Sequence, residues 1–144
     1  MVTAPGAGIQ FWDPDEAFFD LIDSRVTEAL AALPGNAKVS GILWHQGETD
    51  FYSTGFYGDR LRNLISNFRA KRWLDERAVF VCGETLNSPV NAQLQSLNTD
   101  GDAATGCVSA KNLQSIGDDI HFDAPSLRIL GSRYSDRYQL LRGR

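Results

Sequence analysis

The sequence predicts an α/β domain in which a parallel sheet is covered by helices on both faces. Three short apolar runs, typical of buried strands, alternate with amphipathic segments of helical period. The runs are Val39–Trp44, Ala78–Cys82 and Gly106–Ala110. This alternation favours right-handed β-α-β units with parallel strands. Polar side chains follow the first two runs directly, as expected where ligands bind at the carboxyl ends of strands.

The first predicted helix has a clear beginning and end. Asp13 is a good N-cap, Pro14 suits the first helical position, and Glu16 completes a D-x-x-E capping arrangement. Pro34-Gly35-Asn36 ends the helix. We expect an apolar stripe on this helix to pack against the sheet. The stripe consists of Phe18, Leu21, Ile22, Val26, Ala29, Leu30 and Leu33.

Three further helices are predicted along the chain. An amphipathic helix from about Asp59 to Trp73 follows the first strand. Ser88-Pro89 has the cap-plus-proline start of a short helix that ends near Leu97. The last helix runs from about Ala124 to Leu141, with Asp123 as its N-cap. Its inner side is predicted to contain Leu127, Leu130, Tyr134, Tyr138 and Leu141.

A single domain, residues 1–144, accounts for the whole sequence. However, three strands are few for this class of fold, and such a sheet has an open apolar edge. We therefore predict that part of the sheet is missing from this chain. The open edge is expected to pair with a second copy or with a separate N-terminal piece.

Composition and charge exclude several classes of partner. The formal net charge of −4 and the sequence pI of about 5.0 predict no binding to nucleic acid or to anionic membranes. No apolar run approaches the ~20 residues of a membrane span, and the N-terminus lacks the pattern of a signal peptide. We expect a soluble chain of undetermined compartment. Cys82 and Cys107 are predicted to be buried free thiols.

Asp118 and His121 form the sharpest catalytic pattern. A carboxylate on the same loop can accept from Nδ1–H of the imidazole, which leaves Nε2 to take a proton from a nucleophile. A surface or capping role is the open alternative, and Asp119 is expected to face solvent. A weaker alternative is a hard-metal site of Asp118, Asp119, His121 and Asp123, together with Glu48.

A second polar block follows the first strand. Gln46 and the backbone N–H groups around Gly47 could donate to an oxyanion, because glycine lets the backbone approach a substrate closely. Glu48 and Asp50 could orient these donors or hold loops in place, or they could only cap the turn. For His45, partial burial without a catalytic role is the favoured interpretation.

Together these blocks resemble a known family. W-H-Q-G-E-T-D at 44–50, D-D-I-H-F-D at 118–123 and L-G-S-R-Y at 130–134 resemble the sialate O-acetylesterase-like branch of the SGNH hydrolases, which includes carbohydrate esterase family six. The segment Ile9–Trp12 is also similar to that branch, so the resemblance covers nearly all of the chain. It implies a flavodoxin-like three-layer α/β/α fold, and removal of acetyl groups from sugars through a serine acyl-enzyme. It implies no metal or organic cofactor.

The resemblance also implies roles for individual residues. Gln46 matches the side-chain oxyanion donor, Asp118 the orienting acid and His121 the general base. Glu48 matches the motif acid, with a supporting role. The implied substrate is an acetylated carbohydrate or a small ester.

The nucleophile is the part of the family pattern that this sequence lacks. In the family, the serine belongs to an N-terminal G-Q-S-N block, and a second block contains an oxyanion glycine; neither is present here. The chain is thus expected to be the C-terminal portion of the family domain. Ser53 and Ser88 are candidate substitutes near strand ends, although neither has a G-x-S-x-G context. The alternative is a catalytically inactive carbohydrate-binding or assembly module.

Overall fold

The computed structural model, which describes residues 5–52 and 54–143, contains one sheet of three parallel strands. The strands are β1 (Val39–Trp44), β2 (Leu74–Gly83) and β3 (Thr105–Val108), in the order β1-β2-β3. Trp44 is paired with Cys82, and Cys82 with Cys107. The carboxyl ends of all three strands therefore lie side by side at one edge, as predicted for an α/β fold.

The described residues form four α-helices, which contribute to the layers on the two sides of this sheet. They are α1 (Ala17–Ala31), α2 (Thr54–Arg69), α3 (Asn91–Ser96) and α4 (Ala124–Arg142). Phe80 and Cys82 belong to the core beneath α2 and α3, whereas Val79 and Val81 pack with α4, because side chains alternate along a strand. The three-layer α/β/α arrangement is confirmed. None of these helices is both long and apolar enough for a membrane crossing.

The first helix begins later than the sequence predicted. It starts after Glu16, whose side chain makes no capping hydrogen bond. Asp15 has a φ of 68°, in the left-handed region, so the chain turns here instead of entering a helix. Asp13 forms an ion pair with Arg60 of α2. The predicted N-cap was wrong because a tertiary contact uses the carboxylate that the local pattern assigned to capping.

The apolar stripe of α1 is also less buried than predicted. Phe19 is buried and stacks on Phe68 of α2, with 5.2 Å between ring centroids. By contrast, Leu21 and Leu33 are exposed. The main neighbour of α1 is a short 3₁₀ turn, Ile9–Trp12, rather than a strand of the sheet. The prediction that the whole stripe packs on the sheet was therefore wrong.

The second helix and the second strand both begin earlier than predicted. Helix α2 starts at Thr54 instead of Asp59 and ends before Trp73. Strand β2 starts at Leu74, because the backbone N–H of Val39 donates to the Trp73 carbonyl at 2.9 Å and Val39 is paired with Leu74. Pairing with β1 thus extends β2 over polar residues that precede the predicted apolar run.

The third helix and third strand are shorter than predicted. Helix α3 begins at Asn91 rather than directly after Ser88. The Asn91 amide accepts from Thr85 N–H at 3.0 Å and donates to the Thr85 carbonyl at 2.8 Å, which holds the intervening residues in a turn. Strand β3 ends before Ser109, whose hydroxyl donates to Glu84 at 2.8 Å.

The last helix begins where the sequence predicted. Asp123 accepts a hydrogen bond from the backbone N–H of Ser126 at 2.8 Å, so its N-cap role is confirmed. Leu127 is 53% exposed, and its predicted inward orientation was wrong because Ser126 takes the buried position in the first turn. Further along the helix, the buried residues are Leu130, Tyr134 and Leu141.

Strand β1 forms one edge of the described sheet. Its single neighbour in the described ranges is β2. Leu43, near its carboxyl end, is 60% exposed, and Ser40 is also exposed. The open apolar edge expected from the sequence is therefore present, on the strand that leads into the Q-G-E block.

Candidate active site

Asp118 and His121 are in direct contact on the loop between β3 and α4. His121 Nδ1 lies 2.5 Å from Asp118 Oδ2. The other oxygen, Oδ1, accepts from the backbone N–H groups of Ile120 at 3.0 Å and of His121 at 2.8 Å. One carboxylate thus orients the imidazole and also fixes the backbone that presents it.

The loop around this pair is closed by local hydrogen bonds. The Ser115 hydroxyl accepts from the N–H groups of Gly117 at 2.7 Å and Asp119 at 3.1 Å. Gly117 and Asp119 have φ angles of 107° and 60°, which the tight turn requires and which Gly and Asp tolerate. Ile116 N–H donates to the His121 carbonyl at 2.9 Å and closes the loop. Asp119 is exposed, as the sequence predicted.

Charge at the pair favours the imidazolium form of His121. Hydrogen bonds from the imidazole and from two backbone N–H groups lower the pKa of Asp118. The hydrogen bond and charge of Asp118, together with the more distant charge of Glu48, raise the pKa of His121. The side chain of His121 is 71% exposed, and no described side chain hydrogen-bonds to Nε2. Nε2 is therefore free to exchange a proton with a reacting group.

The Gln46 side chain is turned into the protein. It is buried, and its amide nitrogen donates to the Ala7 carbonyl at 3.1 Å and to Asp50 Oδ2 at 2.5 Å. Both amide hydrogens are thus in use, and none is left for an oxyanion in this arrangement. The amide oxygen, also buried, has no hydrogen-bond partner among the described residues. The oxyanion role of Gln46 stays a prediction, and it requires Gln46 to release one of these contacts.

Asp50 holds the Q-G-E block and the entry segment together. It is 2% exposed, and besides Gln46 it accepts from the backbone N–H of Ile9 at 2.9 Å. Of the three roles that the sequence offered for Asp50, the contacts correspond to orienting the Gln46 amide and holding loops in place. This contact joins residues 41 positions apart, so local pattern alone could not reveal it.

Gly47 occupies the sharp turn at the end of β1. Its φ is 143°, and a Cβ atom placed there would lie 2.6 Å from Val90 Cγ2. Its carbonyl accepts from Asp50 N–H at 3.2 Å and from the Ser88 hydroxyl at 3.4 Å. In the described ranges no acceptor is paired with the Gly47 N–H. The Gly47 N–H is thus one backbone donor of the block that has no partner among the described residues.

Glu48 contacts the second histidine of the chain. Glu48 Oε1 lies 3.4 Å from His45 Nε2. Burial tends to raise the pKa of Glu48, but the His45 hydrogen bond, a backbone hydrogen bond and the charges of His45 and His121 lower it overall. Glu48 is therefore held as a carboxylate beside His45, within the electrostatic reach of His121.

The two motif blocks meet at the carboxyl edge of the sheet. The His45 ring lies against Phe122, which follows His121 directly, with 5.8 Å between ring centroids. Glu48 also contributes to the electrostatic field at His121. The Q-G-E block and the Asp118–His121 loop, separate in sequence, thus share one surface.

The candidate nucleophiles do not join this pair in the described structure. Ser53 lies outside the described residues. Ser88 is buried, and its hydroxyl donates to the Gly47 carbonyl and accepts from Val90 N–H, each at 3.4 Å. Neither contact brings it to His121, so its nucleophilic role stays a prediction that geometry does not support. Among the described residues, no three histidine, cysteine, aspartate or glutamate side chains converge as metal ligands would.

Sequence reasoning missed two tyrosines that support the site. The Tyr134 hydroxyl donates to the Trp44 carbonyl at 2.6 Å and lies 3.4 Å from His45 Nδ1. The Tyr57 hydroxyl donates to the Gln46 carbonyl at 2.8 Å. Helical spacing predicted Tyr134 to face inward, but no signal in the sequence showed that its hydroxyl reaches the end of β1.

Comparison with known proteins adds a family and a fold. A family model described as carbohydrate esterase, sialic acid-specific acetylesterase, matches residues 1–140. The X-ray structure of an Arabidopsis thaliana protein superimposes with a TM-score of 0.80 at 20% identity. The alignment covers 93% of this chain and 57% of the plant protein. At this identity the likeness shows the fold alone. No curated protein matches the chain in a sequence search.

Proposed function

The chain belongs to the carbohydrate esterase family described as sialic acid-specific acetylesterase, and from this membership we propose that its site hydrolyses O-acetyl esters of carbohydrates. The observation that carries the proposal is the 2.5 Å contact between His121 Nδ1 and Asp118 Oδ2. This contact leaves Nε2 open on an exposed ring beside the Q-G-E block. A base held in this way is what acyl transfer through a serine requires.

The proposed mechanism is that of an SGNH-type serine esterase. His121 Nε2 takes the proton of the serine hydroxyl as the serine oxygen attacks the acetyl carbonyl. Asp118 stabilises the resulting imidazolium, which then protonates the departing sugar oxygen. Water, deprotonated by the same histidine, attacks the acetyl-enzyme, and acetate leaves as His121 returns that proton to the serine oxygen. The Gly47 N–H is the proposed donor to the oxyanion at both stages.

We further propose that the serine arrives on a segment that pairs with the open edge of β1. This strand ends at Trp44, next to the Q-G-E block, so a parallel neighbour would end at the same edge as His121. The Gln46 oxygen, which has no partner among the described residues, supports this proposal because a buried acceptor normally has a donor. The segment would belong to a second copy or to a separate N-terminal piece.

Acetate release from p-nitrophenyl acetate and from acetylated sugars tests the esterase proposal. The assay is run on this chain and on any longer protein that its gene encodes, each with a His121→Ala variant. Asp136→Asn is the matched control, because Asp136 is an exposed residue of α4 outside the site. We expect hydrolysis to fall at least about 10³-fold in His121→Ala and to be unchanged in the control. Hydrolysis that survives the loss of His121 would refute the mechanism.

The second candidate function is a catalytically inactive carbohydrate-binding or assembly module. It is favoured by one observation, namely that no described serine contacts His121. This function predicts binding of acetylated sugar, measured by calorimetry, without acetate release from either form of the protein. Release of acetate that depends on His121 would exclude it. If β1 pairs with a second copy, sedimentation should show a dimer, and a strict monomer at high concentration would contradict that pairing.

A further inference from the structure

His45 lies between two polar side chains from different parts of the fold. Its Nε2 is 3.4 Å from Glu48 Oε1, and its Nδ1 is 3.4 Å from the Tyr134 hydroxyl. Glu48 belongs to the same turn, whereas Tyr134 lies on α4. The imidazole therefore bridges the Q-G-E block and the last helix.

The Tyr134 hydroxyl can only accept a hydrogen bond from His45. The Tyr134 hydroxyl gives its proton to the Trp44 carbonyl at 2.6 Å, so its oxygen acts as an acceptor toward His45 Nδ1. The Glu48 carboxylate is an acceptor as well. His45 satisfies both neighbours at once only when both ring nitrogens carry protons.

The third neighbour of His45 is the loop that contains the proposed base. Its ring is tilted 50° against Phe122 at 5.8 Å between centroids, and Phe122 is adjacent to His121. Phe122 is buried, so this contact keeps the His45 ring and the His121 loop together. Displacement of His45 would remove both the partner of Glu48 and one wall of that loop.

We propose that His45 is a positioning residue, which holds the Glu48 carboxylate beside the His121 loop and so sets the charge next to the base. The inference rests on the proposed function, because it treats His121 as the general base. It assigns a positioning role to the histidine of the W-H-Q-G-E block, whose side chain is 35% exposed.

Among the described residues, few charged or titratable groups act on His45, Glu48 and His121. Glu48 is acted on by His45 from its own turn and by His121 from the loop after β3. His121 is acted on by Asp118 and Glu48. His45 meets Glu48 and the hydroxyl of Tyr134. Loss of the Glu48 charge should therefore lower the pKa of His121, since Glu48 raises it.

The protein contains only two histidines, so NMR can follow each imidazole through a pH titration. Two neutral replacements are compared, His45→Gln and His45→Ala. The amide of the glutamine can still donate to Glu48, whereas alanine cannot. Because both replacements are uncharged, any difference between them reports the placement of Glu48 rather than the charge of residue 45.

We expect the His121 midpoint to be lower in His45→Ala than in His45→Gln, because alanine no longer holds the Glu48 charge near the base. In a Glu48→Gln background, the same two replacements should give one common midpoint, because the charge that His45 positions is gone. Equal His121 midpoints in the two variants that retain Glu48 would overturn the proposal. So would a difference that persists without Glu48.

The titration can be read even if one variant does not fold and even if the chain hydrolyses no ester. If His45→Ala does not fold, His45→Leu replaces it, because leucine fills more of the space and still cannot donate. The titration needs neither a nucleophile nor a substrate. A negative result in the hydrolysis assay therefore leaves the test of His45 intact, and an unchanged titration leaves the esterase proposal intact.

Discussion

Tyr134 donates a hydrogen bond of 2.6 Å to the carbonyl of Trp44, and this contact joins the last helix to the end of the first strand. The two residues are 90 positions apart in sequence. The tyrosine is buried, and its burial raises its pKa well above the usual value, so the hydroxyl stays protonated as the donor. The carboxyl edge of β1, where the Q-G-E block begins, is thereby tied to α4.

Tyr134→Phe should destabilise the protein by about 1–3 kcal/mol, because it leaves the buried Trp44 carbonyl without its partner. Urea unfolding measures the change. Tyr138→Phe is the matched control, since the Tyr138 hydroxyl bonds to Ser40 in an exposed contact; its effect should stay within about 0.5 kcal/mol. Equal losses of unfolding free energy in the two variants would show that the Trp44 contact does not stabilise the protein more than the exposed Ser40 contact does.

Asp50→Ala should lower the free energy of unfolding by about 2–4 kcal/mol, because it leaves two buried donors without this acceptor. These donors are the Gln46 amide and the Ile9 N–H. Asp59→Ala removes an exposed carboxylate from α2 and should change stability by less than about 0.5 kcal/mol. Thermal and urea unfolding of both variants make the comparison. A mild effect at Asp50 would mean that the entry segment does not depend on this carboxylate.

Gly47→Ala should destabilise the protein by about 1–3 kcal/mol, because the φ of 143° is unfavourable for alanine and the new Cβ would meet Val90. Gly55→Ala, within α2, meets no atom within 4 Å and should be neutral or stabilising by up to about 1 kcal/mol. Unfolding midpoints in urea separate the two. A tolerated alanine at Gly47 would show that the turn can relax.

The Asp118–His121 pair predicts a defined pH dependence. Because the folded pKa of His121 is raised, its contribution to stability is full below the unfolded value of about 6.5 and is lost as pH rises through the folded pKa. Because the folded pKa of Asp118 is lowered, its contribution is present above about 3.9 and is lost as pH falls through the folded pKa. Because the pair is exposed, each loss should appear as only a small fall in melting temperature across the corresponding window.

The same shift sets the pH profile of the proposed hydrolysis. A general base must be neutral, so kcat/KM should rise with pH through the raised pKa of His121, above about 6.5. Asp118→Asn should lower the His121 midpoint, measured by NMR, because it removes the largest cause of the shift. A His121 midpoint that is unaffected by this substitution would contradict the ion pair.

The features that sequence reasoning predicted well are those whose physical cause lies within a few residues. The N-cap of α4 joins Asp123 to Ser126, and the loop contact joins Asp118 to His121, so each is set by spacing along one turn. Strand β1 was predicted with its observed bounds because an apolar run of strand length ends abruptly at polar residues. The alternation of such runs with amphipathic helices was enough for the fold class.

Tertiary structure alone decided which polar groups those elements bring together. Asp13 serves an ion pair with Arg60 and not a helix cap, and the Gln46 amide serves Ala7 and Asp50. Capping and oxyanion patterns are local, whereas Arg60 and Ala7 come from distant segments, and a buried polar group takes whichever partner the packed fold supplies. Thus the sequence by itself determined the layered α/β fold and the Asp118–His121 pair. Only packing determined that Tyr134 and His45 support their site.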